Sequence, residues 1–131
     1  MASAVYQPAS GHDHTVDVSK STQGLIISHS EYDEKYDSGI NATLTLVGIN
    51  HQTLTLTFLK FDLEDKNCKD YLNVSHGSMT ERFCGKDCKD NGQCRREFFA
   101  VDAIILHFVS DSHMKKKGFL LLYSGKKFSI A

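Results

Sequence analysis

The chain has 131 residues, enough for one apolar core and too few for two independent domains. Its 15 lysines and arginines against 16 acids leave a formal charge of −1, which excludes the broad basic footprint of a nucleic-acid or anionic-membrane binder. No apolar run approaches the roughly 18–20 residues of a membrane span, and Met1–Ser10 lacks the apolar stretch of a signal peptide.

Residues 1–21 are polar, hold the only proline and read as a flexible lead-in. His12-Asp-His14 within them has the spacing of a metal chelate, but no third ligand is evident, so it points to adventitious binding at most. Thr43–Val47 is the first of several strand candidates. Thr53-Leu-Thr-Leu-Thr-Phe58 follows, with Leu54, Leu56 and Phe58 on one face and three threonines on the other, the pattern of a half-buried antiparallel strand. Tyr71–Val74, Phe98–Val101, Ile104–Phe108 and Phe119–Tyr123 continue the series, separated by turns rich in Gly, Asn, Asp and Ser. No convincing helix interrupts it. The expected fold is all-β, a two-sheet β-sandwich of jelly-roll type.

Two strands run into acids. Phe58–Asp70 ends in Asp62, Glu64, Asp65 and Asp70 beside Cys68, and Leu106–Asp111 repeats the strand-then-acid layout. The four cysteines are Cys68, Cys84, Cys88 and Cys94; their even number and the absence of a Cys-x-x-Cys pair favour disulfides over zinc. Asn91-Gly92 is a tight-turn dipeptide that lets Cys88 close on Cys94, which leaves Cys68 for Cys84. The sequons Asn41-Ala-Thr43 and Asn73-Val-Ser75 agree with an oxidising, extracellular compartment. Asn73 alternates with Leu72 and Val74, so its side chain is expected to point outward. Acids at strand ends, stapled by a disulfide, point to an extracellular cation site.

Taken in order, Gly24-Leu-Ile-Ile-Ser28, Tyr32-x3-Tyr36, Leu54-x-Leu-x-Phe-x2-Phe-Asp-Leu-Glu64, Cys68-x-Asp70-Tyr-Leu72, Phe83-Cys-Gly85, Phe108-x-Ser-Asp111 and Gly118-Phe119-x3-Tyr123 resemble the CUB domain family. The resemblance covers residues 22–125, leaves 126–131 as a short C-terminal tail, and implies a jelly-roll module of extracellular proteins that binds partners and is not an enzyme. Its calcium-binding subset implies Glu64, Asp70 and Asp111 as metal ligands, with Tyr36 orienting the acids through its hydroxyl. Three carboxylates with carbonyls and water suit calcium, a hard cation that takes six to eight oxygens. The interval from Glu64 to Asp70 is shorter than the family pattern, which brings in Asp62 or Asp65 as substitute ligands. The first family disulfide is missing, with Asn41 in the region where a cysteine is expected, and Lys115-Lys-Lys117 follows the last acid.

The resulting expectation is a secreted domain, its leader already removed, cut from a longer protein. It would use calcium to fix the acid loops and present carboxylates to a lysine of an extracellular protein, or of other domains of the same protein. The alternative is a calcium-independent adhesin of sperm-adhesin type that binds glycan or protein. Neither nucleic acid nor membrane insertion is expected. Ser75-His-Gly-Ser78 sets hydroxyls beside an imidazole but lacks a nucleophile elbow and an orienting acid, so it reads as a turn. His107 alternates with Leu106 and Phe108 and belongs to the opposite sheet face, unlike the inward histidines of a cupin-type metal site.

Overall fold

The computed structural model describes residues 4–7, 9–10, 13–28, 39–49, 52–63, 66–85, 88, 94–99, 101–110 and 117–127. Eleven strands occur among them: β1 (Ala4–Tyr6), β2 (Ala9–Ser10), β3 (Asp13–Asp17), β4 (Gln23–Ile27), β5 (Ile40–Val47), β6 (Gln52–Asp62), β7 (Tyr71–His76), β8 (Met79–Phe83), β9 (Cys94–Phe99), β10 (Ala103–Ser110) and β11 (Gly118–Lys127). One sheet has the order β1-β4-β11-β6-β9 and the other β2-β5-β10-β7-β8, with β3 added on β5. The pairings are antiparallel except β1 with β4 and β3 with β5.

Alternation builds the core. In the register of β10, Leu106 stands between Leu44 of β5 and Val74 of β7, and in β11 Leu121 lies between Ile26 of β4 and Phe58 of β6. All of these side chains are buried in one apolar cluster shared by the two sheets. The threonines of β6 take the other face and are only half-buried. A side-chain period of two with one apolar face requires this arrangement, a two-sheet sandwich with no helix among the described residues beyond one 3-10 turn, Lys66–Cys68.

β6 breaks its own rhythm once. Phe58 pairs with Leu121 but Lys60 with Leu120, so Leu59 is an extra residue in the strand. Such a bulge shifts the inward positions by one. Lys60 is therefore exposed while Phe61 and Leu63 are buried. Phe61 completes an aromatic cluster across the sheets, with Phe58 and Phe83 at 4.6 Å, Phe58 and Phe61 at 5.8 Å, and Phe108 and Phe119 at 5.1 Å between ring centroids.

Several boundaries differ from expectation. Residues 1–21 are not simply a lead-in, because β1, β2 and β3 pair with β4 and β5 and Val16 and Val18 are buried in the core. Val16 in β3 and Val18 just after it face the core, although their polar neighbours hide the pattern. The last strand runs on to Lys127, where Lys126 pairs with Thr53 and Lys127 with Gln52, so the tail begins later than residue 126. β9 covers Cys94–Phe99 rather than Phe98–Val101. β8 was not expected at all; four of its five residues are exposed and leave no apolar period to read.

Candidate functional site

Asp62 closes β6 and Asp70 precedes β7 at the same end of the sandwich, joined by a short covalent and hydrogen-bonded path. The Leu63 amide donates to the Gly85 carbonyl at 3.0 Å. Next to Gly85, Cys84 is bonded to Cys68, two residues before Asp70, with 5.5 Å between the bridged Cα atoms. The second bridge joins Cys88 to Cys94. Between the acids the 3-10 turn places Asn67 and Cys68 at φ of 55° and 53°. Left-handed backbone is unfavourable for a cysteine, and here a disulfide anchors it.

Burial distinguishes the two acids from solvated turn residues. Asp70 is 0% exposed. Asp62 is half-buried, and its Oδ1 is sealed from solvent with no hydrogen-bond donor among the described residues. A buried carboxylate oxygen lacking a donor carries a desolvation cost that a cation offsets directly. Opposite them, β10 ends on buried Ser110; its register with β7, which pairs Val109 with Tyr71, carried one residue on, faces Ser110 toward Asp70. Asp111 is next in the chain. Gly118 pairs with Asp62, so exposed Lys117 enters at the same end.

Tyr36, Glu64, Asp65 and Asp111 lie outside the described residues. Among the described residues no three of His, Cys, Asp and Glu cluster as a metal group. The donor set that can be tested, the carboxylates of Asp62 and Asp70, fits a hard oxygen-seeking cation. Asp62 entered from the sequence only as a substitute ligand. The bulge at Leu59 turns Phe61 and Leu63 inward and leaves Asp62 between them on the other face, and its only trace in the sequence is the two-residue gap between Phe58 and Phe61.

Elsewhere the chemistry is structural. The Ser75 and Thr80 hydroxyls share a hydrogen bond of 3.0 Å across β7 and β8, while His76 packs edge-on against Phe98 at 5.0 Å. The serine and histidine of that turn are thus engaged separately. His14 meets the Tyr6 ring at 6.2 Å. His107 lies on the outward face as expected, against Tyr71.

The CUB domain family matches residues 15–123, and the chain belongs to this family of non-catalytic interaction modules. It is 28% identical over 114 residues to human Tolloid-like protein 2, a match covering 81% of this chain and 11% of that protein. The chain therefore spans about a tenth of this curated relative. Among solved structures it is similar to the full extracellular region of zebrafish Gpr126/Adgrg6, with a TM-score of 0.73 and 24% identity over 92% of this chain and 15% of that one. It is also similar to the MASP-1 CUB2 domain bound to Ca2+, with a TM-score of 0.65 and 25% identity over 88% of this chain and 99% of that one.

Proposed function

We propose that this domain is an extracellular, calcium-dependent protein-binding module whose acid end holds calcium and offers its carboxylates to a lysine of a partner. The observation that carries this reading is the pair of acids at the disulfide-anchored end of the sandwich, Asp70 fully buried and Asp62 with a sealed oxygen that has no donor among the described residues. The MASP-1 CUB2 domain, which is bound to Ca2+, supports it. So do the two disulfides, which belong to an oxidising compartment.

In this reading Asp70 and Asp111 are ligands together with Glu64 or Asp62, and Tyr36 orients the acids. Calcium, when bound, supplies the charge that lets several carboxylates share one small volume. The carboxylates remain acceptors on their outer side, and a compact ammonium reaches them as a charge-assisted hydrogen bond. One exposed ion pair contributes only about 0–1 kcal/mol, so stable attachment needs further contacts or several modules in one assembly.

The test is retention of proteins from extracellular fluid on the immobilised domain. Partners should elute with chelator and lose binding when their contact lysine is changed to alanine. Retention indifferent to both calcium and partner lysines would overturn the mechanism and favour a calcium-independent adhesin.

A further inference from the structure

The two sequon asparagines share one face of one sheet. Asn41 on β5 and Asn73 on β7 flank β10, where Val109 pairs with Asn41 and His107 with Asn73. Two inter-strand steps and two residues of stagger set their Cα atoms about 12 Å apart. The neighbours Ala42, Leu72 and Val74 are buried, so both asparagines project away from the core. Each uses its Oδ1 within the face: His107 Nε2 donates to Asn41 Oδ1 at 2.6 Å, and Arg82 Nε donates to Asn73 Oδ1 at 3.0 Å. The Arg82 guanidinium lies 3.7 Å above the Tyr71 ring, and Tyr71 meets His107 edge-on. The result is a polar surface of Asn41, His107, Tyr71, Asn73 and Arg82 centred on His107.

We propose that Asn41 and Asn73 both carry N-linked glycans, and that the two glycans together roof His107 and the outer face of the six-stranded sheet. Partner contact is then left to the acid end and the rest of the surface. The linkage uses Nδ2, not the Oδ1 already engaged, so the hydrogen bonds from His107 and Arg82 survive it. Transfer from a lipid-pyrophosphate-linked oligosaccharide forms a bond from Nδ2 to the anomeric carbon. It breaks that carbon's bond to the pyrophosphate, which leaves, and releases one amide proton; nothing is oxidised or reduced. Thr43 and Ser75 supply the hydroxyl that each sequon requires two residues on. A bulky polar glycan is tolerated where a face is solvated, and outward Thr43, Thr45 and Ser75 make this one so.

This proposal rests on the extracellular reading above. It is tested on the domain secreted behind a heterologous leader from cells that make high-mannose glycans. Intact mass should show two glycans on the parent and one on each of Asn41→Gln and Asn73→Gln. Thr43→Val and Ser75→Ala remove the same sequons while keeping both asparagines, should a glutamine disturb folding. Carbethoxylation of His107 should rise several-fold after endoglycosidase trimming to a single sugar, with His14 unchanged. A secreted parent carrying fewer than two glycans, or a His107 rate unaffected by trimming, would overturn the proposal. Chelator-sensitive partner retention on the same samples keeps the two readings apart. Calcium response with bare asparagines sinks only the glycan roof, and occupied asparagines without calcium response sink only the calcium mechanism.

Discussion

Arg96 and Glu81 join the two sheets along one edge of the sandwich, with Arg96 Nε donating to Glu81 Oε1 at 2.7 Å and Nη2 to Oε2 at 2.8 Å. Arg96 belongs to β9, the last strand of one sheet, and Glu81 to β8, the last of the other. The bidentate fork fixes both carboxylate oxygens. The same guanidinium lies 5.3 Å from the centre of the Phe83 ring, so the pair closes over the aromatic cluster.

The hydrogen bonds from Arg96 hold the Glu81 carboxyl below its ordinary value of 4.5. Because the folded value is lower than the unfolded one, the stabilisation is complete above about pH 4.5 and is lost as pH falls through the depressed folded value. The two side chains are 37% and 49% exposed, and screening limits the pair to at most about 1 kcal/mol. Urea titration should show Glu81→Gln destabilised by that amount or less at pH 7, with the difference shrinking toward acid. A penalty independent of pH would mean that shape rather than charge is lost.

Replacing Cys68 and Cys84 together by serine should cost about 3 kcal/mol in the chain-entropy model, since the bridge closes a loop with a sequence separation of 16. The loss should extend to calcium affinity, because the bridge anchors the left-handed turn before Asp70. Denaturant midpoints and calcium titration of the double variant check both. Unchanged calcium affinity would separate the bridge from the site.

Most of the sandwich is legible in residues such as Leu54, Leu56 and Phe58, or Ile104, Leu106 and Phe108, where one buried face imposes a strict period of two. That signal fails at edges. Met79–Arg82 of β8 bury nothing, and on β9 Arg96 takes a half-buried position that reads as polar until Glu81 is seen across from it. Asp70 stood out as an acid beside a cysteine at a strand start, but its complete burial is tertiary. The sealing of the Asp62 oxygen is tertiary as well, since Asp62 lies between buried Phe61 and Leu63 and nothing in its local sequence marks what covers it.

Gly24→Ala should destabilise the fold by about 1–3 kcal/mol through overpacking. A Cβ there would stand 2.6 Å from Tyr123 Cε2, and the ring is pinned because its hydroxyl donates to the Ser21 carbonyl at 2.8 Å. Tyr123→Phe releases that bond, so adding it to Gly24→Ala should recover part of the loss. Full additivity in a double-mutant cycle would argue against the clash.

Asp62→Asn should show a crossing of stabilities. In chelator the variant should match or exceed the parent, since a buried carboxylate oxygen without a donor costs about 1–3 kcal/mol. In calcium it should fall below the parent. Asp111→Ala should keep the parent's melting temperature in chelator and lose the calcium increment. If Asp62→Asn is less stable under both conditions by the same amount, its carboxylate serves packing and not the cation.

The most direct test of the central claim is the melting temperature of the parent domain in chelator and across a calcium titration into the millimolar range. Calcium at a hundredfold over its dissociation constant should stabilise the folded state by about 2.7 kcal/mol, provided the unfolded chain does not bind it. A melting temperature that is identical in calcium and in chelator would contradict the calcium-dependent account.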